Sequence, residues 1–475
     1  MDEPKQDPAY EFKPAYTLTT KEGVWRIPPG LKRALPFYMN KPWMRLGRPI
    51  RLFEYMAKNI GPICHYKLFN IHVVFLNDPE YIRELLVNQG GSFVRERTIR
   101  RLKILLGEGL LTSDDPTHKR TRRIAAPAFH RQRINAYAEE MVATASRTRA
   151  TWHDGEEIDI AATMMHLSLE IVARTLFATE VDADVRAINE QTNIIMGIYN
   201  YLIAFPNAEA MLHLPIPGLM RFRKARAKLD RVVNRIIAER KAGADAATDR
   251  GDLLSMLLLA RDQDGSALSD EQLRDEVLTI FLAGYETTAN ALSWTWYLLG
   301  SNPEAQERMA EELQQVLGGR LPTLEDYGQL KYTNMVFAEA MRLYPPAWAM
   351  GRMSTVPIEI GPYRLPPRTH WFFSQYVLQR DARFYPDPLK FEPLRHTEEE
   401  KAKRDKFTYF PFGGGARQCI GEGFAWLEGV MVLATLAQRW RVDLVPGQKV
   451  DVEEKITLRP RYPIRVTLHA RGNLS

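Results

Sequence analysis

Apolar positions along this chain recur at two periods. From about residue 270 to 300 they return every three or four residues, the spacing of one helical face. Ser269 followed by Gln272 is a capping-box start for that helix. The same period runs through Ile158–Ala178 and on from Phe424, and a charged version runs through Arg221–Lys241. A short amphipathic helix begins near residue 50 with Leu52, Phe53, Tyr55 and Met56, and stops at Gly61-Pro62. Asp78-Pro79-Glu80 opens another, with an acidic N-cap and proline at the first helical position. Residues 63–76 are β-rich, and a polar break near Asn70 predicts a hairpin. Strands are also expected near 353–375 and 440–469. From 130 to 262 the pattern is helical with few strand signals, and 93–113 reads as irregular and arginine-rich. Residues 1–48 read as a loosely structured lead-in, with Pro28-Pro29-Gly30 as a turn and Trp25, Phe37, Tyr38 and Trp43 as packing anchors. The pattern predicts a mainly α fold with smaller β-sheets (α+β): the lead-in, then one domain over 49–475, without repeats.

Composition narrows the function. Of 475 residues, 45% are hydrophobic, enough for a sizeable core. Two cysteines exclude a disulfide framework and suit a reducing compartment, so a cytoplasmic protein is expected. Lys and Arg exceed Asp and Glu by only 64 to 58, and no long basic block interleaves with aromatics. Nucleic acid is therefore not an expected partner. The polar, proline-containing N-terminus carries neither the apolar core of a secretion signal nor a transmembrane anchor.

One stretch stands out chemically. Phe410–Gly415 is a glycine-rich turn that leads to Cys419, just before a helix with an apolar face. A thiol at a helix entrance meets unpaired N–H groups and the positive end of the dipole, which favours thiolate. Such a sulfur is a metal ligand, a nucleophile or a buried structural cysteine. Zinc and iron–sulfur sites need several cysteines, whereas haem needs one protein sulfur because the porphyrin supplies four nitrogens. Arg417, two residues earlier, suits a haem carboxylate. Inside the long helix, Phe281-Leu-Ala283-Gly284-Tyr285-Glu286-Thr287-Thr288 breaks a local rule. Gly costs about 1 kcal/mol relative to Ala in a helix interior, and the threonine hydroxyls compete for backbone carbonyls. Either the helix kinks around a hydroxyl network, or the small pair Ala283 and Gly284 makes room for a ligand while Glu286 and Thr287 relay protons. His118 and Arg122, four apart, share a helical face, as do Glu339 and Arg342, three apart. Ile194–Pro206 is unusually apolar and aromatic, suiting a lid or a helix junction.

The pattern F-x-x-G-x-x-x-C-x-G, through Phe412, Gly415, Cys419 and Gly421, resembles the cysteine loop of the cytochrome P-450 superfamily, the haem-thiolate monooxygenases. Ala283–Thr288 matches the family's A-G-x-E-T-T segment, Glu339/Arg342 its E-x-x-R, and Phe391–Arg395 its meander. The resemblance spans nearly the whole chain and implies a soluble, bacterial-type member. It implies haem b ligated by Cys419, which is thereby the metal ligand. Propionate contacts fall to His118, Arg122, Arg352 and Arg417, proton delivery to Glu286 and Thr287, and a structural charge network to Glu339, Arg342 and Arg395. It implies a pocket lined by Tyr199, Phe205, Phe281, Tyr285, Ala347, Trp348, Met350 and Ile456. The reaction implied inserts one oxygen atom of O2 into a C–H or C=C bond of a hydrophobic molecule such as a fatty acid, terpenoid or steroid, with fatty acids slightly preferred. No redox module is encoded, so electrons from NAD(P)H come through a separate ferredoxin or flavodoxin, docked on a basic face expected from Lys119, Arg120 and Arg123 together with the run Lys401, Lys403, Arg404 and Lys406. A monomer is expected. Two alternatives stay open, a peroxide-driven peroxygenase and a non-catalytic haem sensor; the Glu286-Thr287 pair argues against the first.

Overall fold

The computed structural model describes residues 12–32, 48–177, 190–191, 194–195, 197–198, 212–243, 248–262 and 265–472. The chain divides into two compact units, each assembled from several stretches.

The first unit draws on Met1–Arg97, Ala347–Lys390 and Lys401–Cys419. Seven strands form its main sheet, in the order Phe12–Lys13, Gly30–Leu31, Ile63–Leu68, Ile71–Leu76, His370–Phe373, Met350–Ser354 and Phe93–Arg95. The expected hairpin pairs Leu68 with Ile71, so Phe69 and Asn70 form a two-residue turn. A second sheet orders Ile358–Ile360, Tyr363–Leu365, Gly23–Ile27 and Tyr16–Thr20. The lead-in is thus more ordered than its polarity predicts. Residues 12–31 supply four strands, and the buried Trp25 and Ile27 join a core with Val74, Ile82, Trp371 and Phe373. Phe37, Tyr38 and Trp43 lie outside the described residues. The Pro49–Asn59 helix buries Ile50, Leu52, Phe53 and Met56, which is why its apolar stripe was readable. Asp78 caps the next helix by accepting from the Glu80 N–H at 3.0 Å. The 93–113 stretch holds a strand, Phe93–Arg95, and short helices at Arg97–Arg101 and Lys103–Leu106, rather than being irregular throughout.

The second unit draws on Thr98–Pro346, Phe391–Glu400 and Ile420–Ser475. Its axis is the central helix, Asp270–Ser301, opened by the predicted Ser269–Gln272 capping box. At 1.5 Å per residue it is about 48 Å long. From Leu278 to Leu282 and from Thr288 to Trp296 every side chain is buried. A helix apolar on all sides must be enclosed by others. Ile160–Phe177 packs along it, and Trp294 stacks on Tyr344 with ring centroids 4.2 Å apart. Ile160–Phe177 is long and apolar enough to cross a membrane, but 61% of it is buried here, which accounts for its composition. The Glu422–Ala437 helix is equally enclosed. A Cβ on its Gly429 would lie 2.3 Å from the Phe337 ring, so only glycine allows the Lys331–Leu343 helix to come this close. Glu157–Asp159 is a strand within the stretch that signalled few; it pairs with Arg465–Ala470.

Candidate active site

The cysteine loop is held by its own backbone. Cys419 N–H donates to the Phe412 carbonyl at 3.0 Å, and Gln418 N–H donates to Gly415 at 3.1 Å. Gly415 has φ 70°, and a Cβ there would lie 2.0 Å from the Leu86 carbonyl oxygen. Any side chain would strain the turn and push two backbones apart. Phe410 anchors the base of the loop against Phe373 and Phe407, with centroids 5.9 and 5.8 Å away. The Cys419 thiol is left exposed. Cys64 is the opposite case. It is fully buried and donates to the Gly61 carbonyl at 3.2 Å, and burial pushes its thiol up to about 12.

The strand Met350–Ser354 belongs to the same unit as this loop. Met350 lies over Gly413, where a Cβ would meet its Cε at 3.0 Å. Arg352, two residues on, is buried, and its strand partner is Arg95, also buried. Strand register makes Arg95 the direct cross-strand neighbour of Arg352. Trp348 and Ala347 are half-buried, and the Trp348 carbonyl accepts from the Ser374 hydroxyl at 2.7 Å.

In the helical unit, Ala283, Gly284 and Thr287 break the burial of the central helix: Ala283 is exposed, and Gly284 and Thr287 are half-buried. A Cβ on Gly284 would touch Val172 at 3.2 Å, so this glycine serves close helix packing and the open side lies at Ala283. The Thr287 hydroxyl donates back to the Ala283 carbonyl at 2.8 Å. Glu286 is buried and ion-paired with Arg459, whose Nη2 lies 2.8 Å from its carboxylate, and it accepts from the Thr457 hydroxyl. Asn290 donates to Thr457 at 3.3 Å and Trp294 to the Leu458 carbonyl at 3.1 Å. Glu286, Asn290 and Trp294 thus form a polar stripe at four-residue spacing that fastens the turn carrying Ile456. Phe281 and Tyr285 are buried, with Phe281 against Phe177 at 5.4 Å. Tyr199 and Phe205 lie outside the described residues.

His118 is buried, its Nδ1 3.5 Å from Asp115. Arg122, one turn on, is half-buried and has no acid partner among the described residues. A half-buried lone guanidinium on a face shared with a histidine fits an incoming carboxylate. The neighbouring cations fit docking less well: Arg120 and Arg123 both pair with Asp262, and Lys119 lies 3.0 Å from Asp115.

Glu339 takes both Nε and Nη2 of Arg342, at 2.7 and 2.8 Å, and Arg395 stands 3.6 Å away. His396, which sequence reasoning missed, adds a contact at 2.9 Å, and the Glu392 N–H adds another at 3.0 Å. Burial alone would raise the Glu339 carboxyl, but Arg342 and His396 outweigh it and hold the group below the usual carboxylate range.

The sequence profile of the family described as Cytochrome P450 matches residues 28–468. Cyclooctatin synthase of Streptomyces melanosporofaciens is 39% identical over 385 residues, covering 80% of this chain and 83% of that protein. Cyclooctat-9-en-7-ol 5-monooxygenase of the same species is 36% identical, over 89% and 87% of the two chains. Pentalenene oxygenase of Streptomyces avermitilis is 32% identical, over 90% and 94%. The chain belongs to the cytochrome P450 family. It is a haem-thiolate monooxygenase for hydrophobic substrates, using O2 and electrons from a redox partner.

Proposed function

We propose that this monooxygenase oxygenates a cyclic terpenoid, with Cys419 as the sulfur ligand of haem b and Glu286 and Thr287 managing protons. The observation that carries the reading is the Cys419 thiol, exposed on a loop whose glycine geometry admits no side chain, in a chain of this family. The terpenoid preference comes from the relatives, which oxidise terpenoids, and replaces the fatty acid favoured by the sequence.

Haem, when bound, supplies the oxygen-activating chemistry. The chain's own residues do the rest. Arg122, His118, Arg352 and Arg417 would hold its carboxylates. Phe412, Gly415 and Gly421 keep the loop's form, and Ala283 leaves the helix face open. The Thr287 hydroxyl donates its hydrogen bond to the Ala283 carbonyl, so its lone pairs remain to accept one. Glu286 releases Arg459 before it can carry a proton toward Thr287. The electrons come from NAD(P)H through a separate ferredoxin or flavodoxin, docked on the 401–406 basic run. The chain works as a monomer.

The test is the spectrum of the reduced, CO-bound protein. A thiolate-type Soret band is expected, and Cys419→Ser should abolish it; survival of the band would overturn the ligand assignment. Spin-shift titration should then respond to cyclic terpenoids more strongly than to fatty acids. Turnover with peroxide alone, and none with O2 and a reductase, would replace the monooxygenase scheme by a peroxygenase.

A further inference from the structure

Residues 107–113 follow the short Lys103–Leu106 helix, and two acids of the central helix grip their backbone. Glu108 N–H donates to Asp275 Oδ2 at 2.8 Å, and Leu110 N–H donates to Glu276 Oε2 at 3.1 Å. The carbonyls of Gly107 and Gly109 are satisfied within the segment, since both accept from the Thr112 hydroxyl, at 2.7 and 3.1 Å. Glycine at these two positions lets the backbones close up. A Cβ on Gly107 would overlap the Asp275 carboxylate, and one on Gly109 would overlap the Thr279 hydroxyl. The two acids differ in charge. Asp275 pairs with Arg274 at 2.7 Å, and Arg274 also holds Asp230 of the Pro217–Ala242 helix. Burial pushes the Glu276 carboxyl up to about 8, so near neutral pH it accepts from Leu110 as an uncharged acid.

These contacts set a register. The amide of 108 meets residue 275, the amide of 110 meets residue 276, and Gly109 lies against Thr279. Sliding the segment by one residue along the helix would leave buried carboxyls without their donors, which is costly. Apolar contacts are non-directional and impose no such register. The Thr279 hydroxyl has no hydrogen-bond partner among the described residues, so the acids supply the polar hold. Thr279 is one turn before Ala283, about 6 Å along the axis, and Ala283 is where the helix is open. The segment therefore borders that opening, and the half-buried Leu111 follows directly on the gripped amide.

We propose that Asp275 and Glu276 are positioning residues: they fix the 107–113 segment on the central helix and so set how bulky a molecule fits beside Ala283. The proposal rests on the monooxygenase reading for the place of the substrate, and not for the grip itself. Two measurements on the haem-loaded full chain test it. One is hydrogen–deuterium exchange of the 107–113 amides. The other is spectral titration with imidazole and with the bulky azole clotrimazole, both ligands of haem iron. Glu276→Ala should speed the exchange about fivefold and shift the affinity ratio about fivefold toward clotrimazole, the worth of one buried hydrogen bond. Asp275→Ala should act in the same direction. Glu276→Gln keeps an uncharged acceptor and should give wild-type values for both. Glu312→Ala removes the acceptor of the Tyr332 and Thr333 N–H groups, so it should lower the melting temperature and leave both readings unchanged. Circular dichroism verifies folding; if Glu276→Ala does not fold, Glu276→Leu, which refills the buried volume, takes its place. The proposal is overturned by unchanged exchange in Glu276→Ala, or by faster exchange with an unchanged affinity ratio. It is also overturned if Glu276→Gln behaves as Glu276→Ala, or if Glu312→Ala moves both readings equally. If neither azole shifts the wild-type spectrum, the monooxygenase reading fails instead, and the exchange contrast still decides whether the acids hold the segment.

Discussion

Glu339 and Glu428 are both wholly buried in the helical unit, and their surroundings oppose one another. Glu339 has a bidentate guanidinium, an imidazole and a backbone N–H, so it stays ionised. Glu428 makes no hydrogen bond through either oxygen among the described residues. Burial pushes its carboxyl up to about 8, and the nearby Ser168 and Thr288 hydroxyls pull only partly the other way. A buried carboxyl keeps its charge only where donors replace the water it lost.

The largest expected effect comes from breaking the paired site. Glu339→Gln leaves the fully buried Arg342 without its counter-charge and should cost about 3–5 kcal/mol in urea unfolding. A shift under about 1 kcal/mol would mean water reaches the site. Replacing both partners, Glu339→Met with Arg342→Met, should recover most of that loss. The contrast predicts the opposite sign for Glu428→Gln, a gain on the order of 2 kcal/mol at pH 7. In the wild type, the Glu428 carboxyl binds a proton in the folded state that the unfolded state has released. Stability should therefore be full below the ordinary carboxylate range and fall as pH rises to about 8. Glu276, also pushed up to about 8 by burial, adds to the slope, so Glu428→Gln should flatten the profile in part. Equal slopes in the two proteins would refute the neutral-acid reading. Thr288→Val should do least, under about 1 kcal/mol, and should steepen the same profile slightly.

The same contrast explains what could be read from the sequence. Glu339 and Arg342 are three apart, so their pairing is local; His396 lies 57 residues away and emerges only when the chain folds. Glu428 drew no notice because a lone glutamate in a helix normally faces water, and its burial is decided by the helices around it. The central helix announced itself through its cap and period, and the cysteine loop through glycines that its turn requires. Arg459 stands 173 residues from Glu286, and no local pattern links them. The strand Glu157–Asp159 is too short to signal itself, and it is set by a partner near the other end of the chain.

The unequal cysteines give the protein a chemical handle. An alkylating reagent added to haem-free chain meets one accessible sulfur, Cys419, while Cys64 stays protonated and enclosed until the first unit unfolds. A single label on the native chain therefore reports that the iron position is open. A second label reports loss of the sheet core, so one mass spectrum separates cofactor loss from unfolding.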